Sequence, residues 1–206
     1  MIELFVSAFV TFFVVIDPPG CAPIFASLTS GADAGHRRRM AIRSVLIASG
    51  ILFLFAAFGE AFLGALGISL DAFRIAGGIM LFLIALEMVF EKRTQRREHR
   101  AQEVSQDPEH EDISVFPMAI PMIAGPGSIA SAMLLMSRSE GMEQSLVVLA
   151  ALALILLLTL IALLLAAPIM RLVGPKVEAM VTRLLGVILA ALAAQFVIDG
   201  VRASLT

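Results

Sequence analysis

The sequence predicts an all-α membrane protein. Six transmembrane helices form two inverted three-helix repeats, with the first and fourth helices broken near the midplane. Three observations lead there. The 206 residues are 59% apolar and only 16% charged, with a mean hydropathy of +0.95. Lysine and arginine crowd onto one side of the apolar segments. A proline-glycine break falls in the first segment of each half.

The apolar segments lie at about 4–28, 42–66, 72–90, 114–136, 146–170 and 184–203. Runs of about eighteen or more apolar residues read as membrane helices. The fifth is the clearest: 145–170 holds no charge. At about 1.5 Å per residue it crosses a bilayer with some tilt. The first segment is not a signal peptide, because Glu3 replaces a basic start and Asp17-Pro18-Pro19 interrupts its apolar core. Trp, Tyr and Asn are absent, so Phe and snorkelling Arg must serve the interfaces. The single cysteine, Cys21, allows no internal disulfide.

Charge sets the orientation. Twelve of the 15 Lys and Arg residues fall in the first, third and fifth connections, among them Arg37, Arg43, Arg93, Arg96, Arg97, Arg171, Lys176 and Arg183. The other side holds Arg74, Arg138 and Arg202. Basic connections stay in the cytoplasm, so both termini are expected to face outward. Residues 91–113 read as a solvated polar cytoplasmic linker. His99 and His110 lie there among acidic residues, but their spacing matches no strong metal site. The basic clusters serve topology; lipid or RNA binding is the rival reading.

The linker divides the chain into a first repeat, 1–90, and a second, 114–206, within one membrane domain. Pro19-Gly20 is matched by Pro126-Gly127, 107 residues later; Gly67 and Asp71 meet Gly174 and Glu178 at the same offset. With a two-residue slip, Arg74 and Gly77 meet Arg183 and Gly186. Three helices is an odd number, so the second copy enters from the opposite face.

Each break has a physical purpose. Proline lacks an N–H and clashes with the preceding turn, so the helix stops or kinks. Asp17 followed by Pro18 suits a restart, with Asp as N-cap and Pro in the first turn. Backbone groups freed within hydrocarbon cost several kcal/mol each unless protein, water or solute receives them. The new N-termini suit a carboxylate, with donors from Gly20, Cys21, Gly127 and Ser128. Freed carbonyls and Asp17 suit an ammonium group or a coupling cation. The substrate site is therefore expected at Asp17, Pro18, Gly20, Cys21, Gly125, Pro126, Gly127 and Ser128. The rival reading is a pair of kinks that only shape packing, with Asp17 a simple cap.

Asp17 and Glu60 are the candidates for ion coupling, since an intramembrane carboxylate in low dielectric exchanges protons near neutral pH. The alternative for Glu60 is a side chain that reaches the interface. Glu87 is expected at the cytoplasmic surface, and Asp71, Arg74, Glu178 and Arg183 as interface anchors. Gln195 and Asp199 are weaker intramembrane candidates. No His lies in a membrane segment, and no nucleophile pair, zinc motif or nucleotide loop occurs. The expectation is no enzyme and no cofactor.

The stretches "DPPGCAPIF" and "PMIAGPGSIASAM" resemble the paired signatures of the MarC family of integral inner-membrane proteins. Family members typically carry Asp-Pro-Ile-Gly-Asn-Ile-Pro in the first helix and Pro-Leu-Leu-Ala-Gly-Pro-Gly in the fourth. Asp17, Pro18, Gly20 and Pro23 match the first; Pro121, Ala124, Gly125, Pro126 and Gly127 match the second. Pro19 and Cys21 depart from it, and Cys21 removes a side-chain amide. The resemblance implies transport of small neutral amino acids such as glycine and alanine. The expected partners are that solute, H⁺ or Na⁺ and lipid, with no nucleic acid; small-residue faces suit pairing within a chain or between copies. The rival functions are a non-transporting membrane accessory protein and a passive channel.

Overall fold

Prolines and capping side chains set the helix ends. The computed structural model describes residues 1–105 and 112–205, with side chains at all of these except 94, 100–105, 167 and 169–179. Helix α1 runs Ile2–Ile16 and α2 runs Pro18–Leu28. Asp17 alone separates them, in a left-handed conformation (φ 59°, ψ 64°). Helix α3, Ala34–Ala65, is capped by Asp33, whose carboxylate accepts from Gly35 N at 2.8 Å and His36 N at 3.0 Å. Those bonds, His36 first, hold the Asp33 carboxyl below its usual range. Helix α4, Leu70–Val89, starts at Ser69, whose hydroxyl accepts from Ala72 N at 3.2 Å.

The connection beyond α4 is not wholly a solvated coil: Lys92–Ser105 is helix α5. The fourth apolar segment also differs from a helix interrupted once. Unwinding begins near its start, at Phe116 (φ −127°, ψ 129°) and Ile120 (φ −125°, ψ 125°) within the wide-turned stretch Ser114–Ile123. Each of these residues precedes a proline, whose ring disfavours the α region for its neighbour. Helix α6, Pro126–Met136, then leaves at 50° to that stretch. Helix α7 is Gly141–Leu164, ending short of the expected 170, and α8 is Ala166–Ser204. Among the described residues five stretches are long and apolar enough to cross a membrane, α1 and α2 counting together as Ile2–Leu28, and six spans result if Ser114–Ile123 and α6 form one.

With lipid outside, burial between helices comes from close packing rather than from escape from water. Glycines allow that packing where α4 lies along α8. A Cβ on Gly78 would stand 2.9 Å from the Ala193 carbonyl oxygen. A Cβ on Gly186 would stand 3.1 Å from the Ala85 carbonyl oxygen. The two contacts are reciprocal, since Gly186 and Ala193 each follow Gly78 and Ala85 by 108 positions. Elsewhere α1 and α2 pack on α7, while Ser114–Ile123 and α6 pack on α3. Phe12, Phe25, Leu52, Leu81, Met118 and Leu152 fill the interior, and Phe58, Phe62, Leu83, Leu157 and Leu184 face outward.

Candidate functional site

The first break follows from hydrogen-bond arithmetic. In an unbroken helix Pro18, Pro19 and Gly20 would bond to the carbonyls of Val14, Val15 and Ile16. Two prolines have no N–H to give. Gly20 N turns instead to Asp17 Oδ1, at 3.1 Å. A Cβ on Gly20 would collide with the Asp17 carboxylate, so only glycine fits beneath this cap. The carbonyls left over find new donors. Cys21 Sγ faces Ile16 O at 3.5 Å, and Arg93 Nη2 donates to Val15 O at 2.5 Å.

Arg93 belongs to α5, which reaches inward from the polar connection. One turn on, Arg97 Nη1 donates to Asp17 Oδ2 at 2.9 Å. This pair is nearly closed to solvent, with side chains 12% and 3% exposed. Arg93 also donates to the Met88 sulfur at 3.0 Å. Removal from water, and then the adjacent Arg97, push the Arg93 guanidinium down to about 10, which leaves it charged at neutral pH. Arg96, the third basic side chain on this face, pairs with Glu87 of α4.

The second break is open where the first is filled. Gly125 is the N-cap of α6 and supplies no side-chain bond. Pro126 has no N–H, and Ile129 N bonds back to Gly125 O at 3.0 Å. Among the described residues the N–H groups of Gly127 and Ser128 are thus the free donors of this terminus. A Cβ on Gly127 would stand 2.5 Å from Ile84 Cδ1 of α4, so a larger residue here has to displace the Ile84 side chain.

A cavity of about 560 Å³ lies between these parts. Val15 comes from the first break, Ile84 and Glu87 from α4, and Arg93, Arg96 and Arg97 from α5. Phe116, Ile120 and the run Gly125–Ser128 come from the fourth segment. Gly125, Pro126, Gly127 and Ser128 therefore line the cavity together. Asp17, Pro18, Gly20 and Cys21 are not among its lining residues, and Asp17 is linked to it through Arg97. Glu60 is exposed on α3 and does not line the cavity; its neighbour Gly59 packs on Met133 near the end of α6. Glu87, expected at the surface, is a wall residue.

At the far end of α6 lies a second ionic group. Arg74 of α4 donates to Ser137 O at 2.9 Å and pairs with Asp71 at 3.1 Å. Arg138 pairs with Asp199 of α8 and stacks 4.1 Å over the Phe196 ring. Gln195 donates to Asp199 at 2.7 Å. Arg74 is more than the interface anchor expected, since it ties α4 to the end of α6. The metal reading of His110 lies outside the described residues, as do the side chains of Arg171, Lys176 and Glu178.

The residues that sequence reasoning missed are Arg93, Arg96 and Arg97 as wall residues. A signal existed: positions 93, 96 and 97 share one face of a helix. Their basic character was absorbed by the topology argument.

Helices apolar on the outside, enclosing an arginine-lined cavity at two backbone breaks, define a multi-pass integral membrane protein. The comparisons give its family. The chain belongs to the MarC family, whose model, described as MarC family integral membrane protein, matches residues 2–205. It is 37% identical to a UPF0056 membrane protein of Methanocaldococcus jannaschii over 204 residues, covering 99% of this chain and 98% of the relative. It is 34% identical to the UPF0056 inner membrane protein YhgN of Escherichia coli over 197 residues, 96% and 95% of the two chains. The UPF0056 membrane protein YvbG of Bacillus subtilis is 33% identical over 202 residues, 98% and 96% of the two. No solved structure matches the chain.

Proposed function

We propose that the protein is a secondary transporter of small neutral solutes, amino acids such as glycine and alanine. It works by alternating access and is driven by H⁺ or Na⁺. The observation that carries this reading is the cavity at the two breaks, walled by Val15 on one span and Gly125–Ser128 on the other. A volume of about 560 Å³ falls within the range of small-molecule sites, about 300–1,000 Å³. At the opposite end Arg74 holds Asp71 and the Ser137 carbonyl while Arg138 holds Asp199; on this reading these bonds are the gate that must open when the solute leaves on that side.

Two inverted repeats supply the device for alternating access. Supporting this, α2 and α6 are both 11 residues long, and each begins with proline at an offset of 108. The reciprocal glycine contacts of α4 and α8 carry the same offset. That offset replaces the slip between 107 and 109 read from the sequence. The bias of Lys and Arg toward the α5 side supports a cytoplasmic α5 and periplasmic termini on this reading. Asp17 accepts a coupling ion only after Arg97 leaves it, and Glu60 serves from the exposed face of α3.

Uptake into proteoliposomes tests this. Saturable, gradient-dependent uptake of labelled alanine or glycine is expected, and Asp17→Ala abolishes it while leaving folded protein in detergent. Non-saturating flux indifferent to ion gradients makes the protein a passive channel. Absence of flux for every small solute leaves a structural or accessory protein.

A further inference from the structure

The cavity wall carries more positive than negative charge. Arg93, Arg96 and Arg97 line it, against the single carboxylate of Glu87. Glu87 pairs with Arg96, and Asp17 pairs with Arg97. Arg93 meets only a carbonyl oxygen and a thioether among the described residues. Among the described residues one guanidinium charge is therefore uncompensated, in a region where an unpaired charge is costly.

The helix field adds to the imbalance. The N-terminus of α6 carries partial positive charge and opens on the same cavity, with Gly127 and Ser128 on the wall. Cations are normally disfavoured at such an end, yet α5 brings three of them. The first break shows how the chain resolves the same problem locally. There the Asp17 carboxylate accepts from the N-terminus of α2 and from Arg97 together. At the second break no carboxylate of the described residues takes that place.

We propose that Arg93 receives the carboxylate of the solute, so that the cavity selects small solutes bearing a free carboxylate and does not require an ammonium group. The proposal rests on the transport reading for its biological meaning, and it narrows the substrate class. The carboxylate bridges Arg93 and the N–H groups of Gly127 and Ser128, repeating the arrangement of Asp17 with Arg97 and Gly20. A compact monocarboxylate neutralises the extra charge; an amino acid pairs with Arg93 through its carboxylate but leaves the net charge unchanged, because its ammonium group comes with it and must lie elsewhere, against Glu87. Arginine suits this task through its planar, two-pronged donor geometry.

Thermal unfolding of the purified protein in detergent tests it, with propionate, alanine and alaninamide as probes near neutral pH. Propionate and alanine are expected to raise the unfolding midpoint, and alaninamide is not. Arg93→Ala weakens the apparent affinity for propionate tenfold or more, while Arg93→Lys retains part of it. If Arg93→Ala fails to fold, the wild-type ranking of propionate against alaninamide decides alone. Stabilisation by alaninamide equal to that by alanine, or none by propionate, overturns the proposal. Alanine flux in proteoliposomes separates the two readings. Flux with no preference for a carboxylate sinks this inference and leaves transport standing. Propionate binding without flux of any solute sinks transport and leaves the site.

Discussion

Asp17 performs two tasks with one carboxylate. One oxygen caps α2 through Gly20 N, and the other holds Arg97 of a distant helix. Removing one partner of a buried ion pair strands the other, at a cost of about 3–5 kcal/mol. Arg97→Ala is therefore expected to lower the unfolding midpoint more than the double change Asp17→Asn with Arg97→Ala, since the double variant leaves no orphan charge. Thermal melts of the two proteins check this; equal destabilisation would mean that the pair is incidental. The cap was legible in the sequence, because Asp-Pro-Pro-Gly specifies a helix restart in local terms. The pairing with Arg97 was not. It spans 80 positions, and local spacing carries no information about which distant cation arrives.

The helices divide into those that pack and those that break. Small residues at the α4–α8 crossing let the backbones approach, so extra volume there forces them apart. Gly78→Ala and Gly186→Ala are each expected to cost about 1–3 kcal/mol, because the neighbour is a backbone carbonyl that cannot rotate away. Gly64→Ala, with nothing within 4 Å of its new methyl, is neutral or stabilising by up to about 1 kcal/mol. Unfolding in detergent ranks the three, and equal losses would refute close packing as the cause. The six apolar segments were legible from hydropathy alone, with edges displaced by a few residues. Helix α5 was not, because a segment without apolar content gives no reason to fold until arginines find buried acceptors. The early unwinding of the fourth segment had a signal in Pro117 and Pro121, each of which expels its preceding residue from the helical region.

Taken whole, the chain brings two broken spans to a charged cavity and carries a second ionic group, Arg74, Arg138 and their carboxylates, at the opposite end. The pairing of breaks across the halves could be read as a pattern of prolines and glycines. The sign of the cavity could not, because it comes from α5 rather than from either break. A thiol placed in the wall interrogates the cavity itself. Ser128→Cys in a Cys21→Ala background puts the only thiol at the α6 N-terminus, facing the cavity. A membrane-impermeant maleimide applied from the α5 side is expected to label it, and saturating alanine or glycine to slow that labelling. Labelling at a rate that no transported solute alters, or complete protection from both sides of the membrane, would contradict a solute path between the two breaks.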